Sequence, residues 1–502
     1  MNKRNLSLLP IVFSFTAVFL CLIRVVNVSR IPIFWDEAIY LSIADGFRKE
    51  PARLLNSFSF YAYPVMVWIQ TLLETILPFV SKLILGRVFL ISTDFISAFL
   101  VFLISKKFYG KYIAAVSSLI YLALPLTVFH SRFVMLESIT NMFVLLALYR
   151  AIIHALDTKN SGKVSLKWIV SEAFFISLSF FTKPLALVSF IAILILPLII
   201  LLNKKPVRFD KIKTVFFDLI FSFGLAGIII AIFVLPQWHE YASYMTEKGS
   251  FTINSLIHFR VNLWKAAWWS GAYIGDTAIF LMGLFFIWAL IKRMWTVLFL
   301  YLWILTVFVI DSLIVASFYP RHIYPISVPV AFILAIFWGL VYKKRPLVSL
   351  IALVFFLFFL ININLQIIFH PEEAPIALED KQQFFDDWSS GVALDKTAYK
   401  LNYLSKGEKY VLVTNGDPLL TWALVNEYKL DGVEILDTGR VWTDKLALNA
   451  IINGRCEKVN CFLVLNQNFD DVPSNRFTLT ETIPKGRNRK INIYRYSDDS
   501  LL

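Results

Sequence analysis

Residues 31–47, Ile-Pro-Ile-Phe-Trp-Asp-Glu-Ala-Ile-Tyr-Leu-Ser-Ile-Ala-Asp-Gly-Phe, hold an adjacent acidic pair, Asp36 and Glu37, among aromatic residues. A carboxylate set between Trp35 and Tyr40 at a membrane surface is poorly hydrated, which raises its proton affinity toward the range in which a general base works. An acidic residue just ahead of a helical run is also a common N-cap, so Asp36 could simply cap a helix continuing to Phe47. On these residues alone capping and catalysis are equally good readings.

Three further stretches concentrate polar groups in an apolar chain. In His130-Ser-Arg132-Phe-Val-Met-Leu-Glu137-Ser-Ile-Thr140-Asn141, the spacing of Glu137, Thr140 and Asn141 puts them on one helix face. Such a stripe faces protein rather than lipid, either to act on a substrate or to bond a neighbouring helix. Lys183 directly precedes Pro184, a residue suited to the first position of a helix. A lysine there opposes the helix dipole, and an anion such as phosphate relieves the conflict. Arg321 lies in the turn Pro320-Arg-His-Ile-Tyr324-Pro325 and suits phosphate by its forked donors. For both cations the competing role is a snorkelling anchor at the membrane interface.

These stretches need a scaffold, and composition says which. Of the 502 residues 58% are hydrophobic and 47 are Phe, with a mean hydropathy of +0.68, beyond what a soluble globular chain shows. The expectation is a polytopic α-helical membrane protein. Forty-eight Lys and Arg against 35 Asp and Glu give a net charge of +13. The basic residues fall mostly in short loops between apolar runs, where they set orientation, so no nucleic acid is expected as a partner.

Apolar runs at about 6–26, 83–105, 112–129, 134–152, 168–182, 184–202, 214–235, 273–291, 295–317, 325–341 and 347–369 predict eleven spans. The loops at Lys106–Lys111, 150–167, 204–213, Lys292–Arg293 and Lys343–Arg345 are basic and so cytoplasmic. That arrangement places the N-terminus inside and the acidic pair outside. It also puts His130–Glu137, Lys183, Arg321 and residues 370–502 on the outer face. The first run is too long for a signal peptide, and no small-residue cleavage site follows it. Residues 27–82 form a long first outer loop, with the amphipathic Tyr63–Glu74 lying along the interface.

Two domains are expected, a transmembrane one over 1–369 and a small extracytoplasmic α/β domain over 370–502. In the latter, strand-like 410–414, 433–436, 461–465 and 491–494 alternate with helix-like 418–429 and 442–453. Cys456 and Cys461 lie in this domain, where a local disulfide and two free thiols are both open. The six His are scattered, and spacing gives no support to a metal site built from His130, His322 and carboxylates. No cofactor is called for, a divalent metal being the minor alternative.

Trp35-Asp36-Glu37-Ala-Ile-Tyr after the first span, Ser131-Arg132-Phe-Val-Met-Leu-Glu137, Phe181-Thr182-Lys183-Pro184 and Pro320-Arg321-His-Ile-Tyr324-Pro325 together resemble a known superfamily. It is that of the protein O-mannosyltransferases and lipid A aminoarabinose transferases, membrane glycosyltransferases akin to family 39. The resemblance covers roughly residues 1–345. It implies a GT-C fold, a polyprenyl-phosphate sugar donor and inversion at the sugar carbon. It also implies Asp36 as catalytic base with Glu37 as its acidic partner, Arg132, Lys183 and Arg321 near the donor phosphate, and Glu137 at the second-loop acidic position. Asn141, His130 and Tyr324 are expected beside these as supporting polar residues. Ser270 stands where the Trp-Trp motif of oligosaccharyltransferases would have an Asp, which argues against whole-oligosaccharide transfer to Asn.

The expected function is therefore transfer of a sugar from a lipid-phosphate donor to a lipid, glycan or protein on the outer face of the cell membrane. The alternative is a transporter or flippase of an anionic lipid or a lipid-linked sugar. Transporters place their charges near the midplane and repeat their halves, whereas here the charges gather at one face without an internal repeat.

Overall fold

The computed structural model describes residues 3–56, 63–161, 166–202, 209–247, 255–315, 317–430, 432–438, 451–452, 454–457, 459–466, 476–486 and 489–497. The chain forms two compact units, each assembled from separated stretches. One comprises Met1–Val28, Phe47–Leu73 and Gly86–Ala377, the other Ser29–Gly46, Glu74–Leu85 and Leu378–Leu502. The acidic stretch thus folds with the C-terminal residues, across a separation of some 350 positions.

The first unit is helical. Among the described residues seven helices are long and apolar enough to cross a membrane: Lys82–Tyr109, Leu136–Lys159, Pro184–Leu202, Phe209–Ser243, Trp295–Ile314, Pro320–Lys344 and Pro346–Phe369. The pair Leu256–Ile274 and Asp276–Ile291, bent by 112°, makes an eighth if it counts as one span. Among the described residues these seven or eight do not confirm the expected count of eleven. The run at 112–129 breaks at Leu124, which turns extended ahead of Pro125, leaving helices of 13 and 6 residues. Leu166–Thr182 has 17 residues, at the lower limit of the roughly 17–25 that a spanning helix uses. The stretch expected along the interface is the helix Pro64–Ile76, with Val65, Met66 and Val67 buried and Leu72 and Ile76 exposed.

Buried polar groups tie the helices together. Asp94, in the middle of Lys82–Tyr109, pairs with Arg24 at 2.5 Å and accepts from the hydroxyls of Tyr121 (2.9 Å), Tyr324 (2.6 Å) and Ser138 (3.2 Å). One carboxylate thereby joins five segments of the chain. A second node sets His154 between Glu172 (2.9 Å) and Asp218 (3.3 Å), while Ser222 donates to the far oxygen of Glu172.

The C-terminal part of the second unit contains a five-stranded mixed sheet of β1 (Tyr410–Thr414), β2 (Val433–Asp437), β3 (Asn460–Leu465), β4 (Phe477–Gly486) and β5 (Arg489–Tyr496). Their order is β2-β1-β3-β5-β4, parallel across β2-β1-β3 and antiparallel beyond. Strand β1 is buried along its whole length, as a central parallel strand requires. The sequence pattern located four of these strands. It missed β4, whose bulged register and Pro484 mark an edge strand. Residues 442–450 of the expected second helix lie outside the described residues. Cys456 and Cys461 form a disulfide beside Val411, Leu463 and Tyr494, so the open question at these thiols resolves to a bond.

Candidate active site

In the second unit the helix Trp35–Lys49 begins immediately at the acidic pair. Its cap bond is made by Glu37, whose Oε2 accepts from the backbone N–H of Phe34 at 2.8 Å. This is the reach-back half of a capping box, from the third helical residue to the N-cap. Glu37 is fully buried, whereas Asp36 is only half-buried in the first turn, where the positive end of the helix dipole favours a carboxylate. The reach-back cap bond comes from Glu37.

The segment bearing the pair is strapped to residues 388–391. Trp35 N–H donates to Ser389 O (2.9 Å), Gly391 N–H donates to Ile33 O (2.7 Å), and Phe34 bridges Ser390. Phe34 packs on Phe384, and Trp35 meets Trp388 edge-on with centroids 5.4 Å apart. Only glycine fits at 391, because a Cβ there would lie 2.5 Å from both Ile33 Cγ2 and Ile33 O. Gly391→Ala is expected to cost about 1–3 kcal/mol through this overlap. Faster amide exchange at Phe34 and Trp35, with a lowered Tm, is the readout.

Behind the strap lies a buried polar chain. Lys485, 2% exposed, donates to Asn466 Oδ1 (2.6 Å) and to Trp388 O (3.0 Å). Asn466 Nδ2 donates to Trp388 O (2.9 Å) and to Asp417 Oδ2 (2.8 Å), while Asp417 Oδ1 accepts from Leu419 N–H (2.9 Å). Burial pushes the Lys485 ammonium down to about 8 against the opposing pull of the Asp417 and Asp387 carboxylates. Burial also raises Asp417, opposed by Asn466 and by the Trp35 indole. Between about pH 8 and the ordinary lysine value of 10.5, the unfolded chain holds a proton that the folded one has released. This group's contribution to stability therefore rises with pH across that window. Wild type should gain stability relative to Lys485→Met between pH 8 and 10, read as the difference in urea midpoints.

In the first unit a narrow cavity brings together residues singled out from several separate stretches of the sequence. Its lining includes Glu137, Asn141, Lys183, Arg321 and Tyr324. Lys183 Nζ pairs with Glu137 Oε1 at 2.8 Å, so a carboxylate supplies an anion beside this lysine. Lys183 itself is extended, as a residue before proline must be, and the chain then enters a short 3₁₀ turn and the helix Leu187–Leu202. Asn141 donates to Ser327 Oγ at 3.2 Å, and the guanidinium of half-buried Arg321 lies 5.2 Å above the Tyr319 ring. The Tyr324 hydroxyl donates to Asp94, so that residue anchors the wall of the cavity.

Sequence reasoning passed over Asp311, a buried carboxylate at the same cavity, although a carboxylate inside an apolar run is itself a signal. Glu137 Oε2 and Asp311 Oδ1 have no hydrogen-bond partner among the described residues. His322 also lines the cavity, its Nδ1 accepting from Tyr319 N–H at 3.0 Å. The His130 ring packs among Phe129, Tyr273 and Tyr324.

Arg132 does not line this cavity. Its Nε, Nη1 and Nη2 donate to the carbonyls of Arg24 (3.1 Å), Ile367 (2.8 Å) and Val26 (2.8 Å). These carbonyls lie at or just beyond the C-terminal ends of Lys3–Val25 and Pro346–Phe369, which lack helical partners of their own. Arg24 also donates to Thr127 and Ser131, and Arg87 to Val28 O. Three buried arginines thus fix the turn that delivers Glu137.

With that geometry in place, the comparisons are informative about the fold. ArnT from Cupriavidus metallidurans bound to undecaprenyl phosphate superposes with a TM-score of 0.56 at 12% identity, over 96% of this chain and 97% of that one. The chain has the GT-C fold. The apo form of the same ArnT matches with a TM-score of 0.56 at 12% identity, over 98% of both chains. The Archaeoglobus fulgidus oligosaccharyltransferase in the apo form follows at 0.49 and 13%, over 90% of this chain and 69% of that one. No family model and no curated protein matches the sequence.

Proposed function

We propose that this protein is an integral membrane glycosyltransferase that moves a sugar from a polyprenyl-phosphate donor to an acceptor hydroxyl on the outer face of the cell membrane. The acceptor oxygen attacks the anomeric carbon, the bond to the phosphate oxygen breaks on the opposite side with inversion, and the phosphate departs with the electron pair. Asp36 takes the acceptor proton, while Lys183 and Arg321 neutralise the departing phosphate. In this reading Glu137 holds the Lys183 ammonium in place until the donor arrives.

The observation that carries the proposal is the cavity where Lys183, Arg321, Glu137 and Asn141 converge. Sequence reasoning drew these four from three separate stretches. Shared GT-C architecture with a protein seen bound to undecaprenyl phosphate supports the choice of donor. Basic loops between the apolar runs support an inside N-terminus and an outer catalytic face.

Undecaprenyl phosphate itself is the probe for the cation assignment. Lys183→Met, made together with Glu137→Gln so that no bare carboxylate is left behind, should weaken its binding by about 10–100-fold. That is the effect of losing one charge-assisted bond. Unchanged affinity by titration in detergent would remove Lys183 from the phosphate site.

A further inference from the structure

The C-terminal residues of the second unit do more than fold beside the acidic segment. They include Lys485, a nearly inaccessible lysine on the edge strand β4, and Asn466, which follows β3. Both donate to one backbone atom, the carbonyl of Trp388. Burying an ammonium is costly unless every donor finds a partner, and a purely structural core position would hold an aliphatic residue at less cost. What the lysine does is fix a carbonyl, and the three residues after that carbonyl carry the bonds to Ile33, Phe34 and Trp35. Asp36 is the next residue.

We propose that Lys485 and Asn466 are positioning residues for Asp36. They act through the strap Trp388–Gly391, so that the C-terminal part of the chain is a component of the catalytic apparatus. This rests on the reading of Asp36 as the base. Asp417 completes the arrangement by orienting the Asn466 amide, so that one Nδ2 proton points to Trp388 O and the other to its own carboxylate. The Trp35 indole acts on the same carboxylate, which closes a loop from β4 back to the acidic segment. Elsewhere in this unit the beginning of the helix Lys82–Tyr109 contributes a second clamp. There Lys82 pairs with Asp45 at 2.6 Å on the helix Trp35–Lys49 that carries Asp36. The helix that carries Asp36 is thus held at two points, at its start by the strap and about two and a half turns on by Lys82.

Lys485→Met, Lys485→Arg and Asn466→Ala in the full-length protein test this. Lys485→Met should lower kcat for transfer from an undecaprenyl-phosphate sugar by roughly ten- to a hundredfold, as misplacement of a reacting group by about 1 Å does. KM for the donor and the affinity for undecaprenyl phosphate should stay unchanged. Amide exchange at Phe34 and Trp35 should speed up, and Lys485→Arg, which can still donate to Trp388 O, should recover much of the loss. If Lys485→Met does not fold, Asn466→Ala is read in its place, because it keeps the ammonium on Trp388 O.

Wild-type kcat in a folded Lys485→Met or Asn466→Ala protein, or loss of the fold in both, overturns the positioning role. A folded wild type that transfers no sugar refutes the glycosyltransferase reading instead. The exchange rates at Phe34 and Trp35 would still report whether Lys485 holds the segment.

Discussion

Arg24→Met is expected to lower the unfolding free energy by about 3–5 kcal/mol, the cost of stranding one partner of a buried ion pair. Asp94 is fully inaccessible and accepts from three hydroxyls, none of which neutralises its charge. Without the guanidinium the carboxylate must take up a proton or draw in water, and either outcome disturbs Tyr324 in the cavity wall. The loss also frees Thr127, Ser131 and the carbonyl of Leu122 from the same guanidinium. Thermal unfolding in detergent should therefore show a large drop in Tm. Pairing Arg24→Met with Asp94→Leu should recover part of it, because apolar replacement of both partners removes the stranded charge. A Tm within about a degree of wild type for the single variant would mean that the pair is not the anchor its geometry suggests.

Much of the cavity was legible because its residues break a rule locally. Lys183 before a proline, Arg321 in an apolar turn and the Glu137 stripe each stand out against neighbours that belong in lipid. Other features are written in contacts that no local window contains. Asp94 meets Arg24 across 70 positions, and Arg132 reaches Ile367 across 235. From the sequence Arg132 looked like a phosphate ligand, whereas the structure shows its donors on helix-end carbonyls.

The reach-back bond of Glu37 at the acidic pair was not legible in the sequence for a plain reason. A capping box is recognised by Ser or Thr at the N-cap, and here that position is Phe34, so only the Glu37 half of the motif is present. Asp311 carried a usable signal and was absorbed into a span. The expected runs at 112–129 and 168–182 meet helices of 13 and 17 residues, so apolar composition alone did not set helix length there. The strap between residues 33–35 and 389–391 had no sequence signal except Gly391, and one glycine in a polar stretch reads as an ordinary turn.

The second large effect concerns Asp36. Glu37 makes the reach-back cap bond, so Asp36→Asn should keep that bond and the helix start while removing the proton acceptor assigned in the proposed function. Glu37→Gln, by contrast, should act on stability, by roughly 1 kcal/mol for a weakened cap. A capping role for Asp36 would reverse this pattern, with the stability loss on Asp36→Asn. The two variants therefore separate chemistry from structure at neighbouring positions.

The most direct test of the central claim is single-turnover transfer by wild type and Asp36→Asn, supplied with a panel of undecaprenyl-phosphate sugars. Undecaprenyl phosphate binding and Tm are measured on the same preparations. The expected result is a loss of about 10²–10⁴ in the rate of transfer, the range for removal of a general base, with binding and Tm unchanged. Equal rates in the two proteins would contradict the assignment of Asp36 as the residue that takes the acceptor proton.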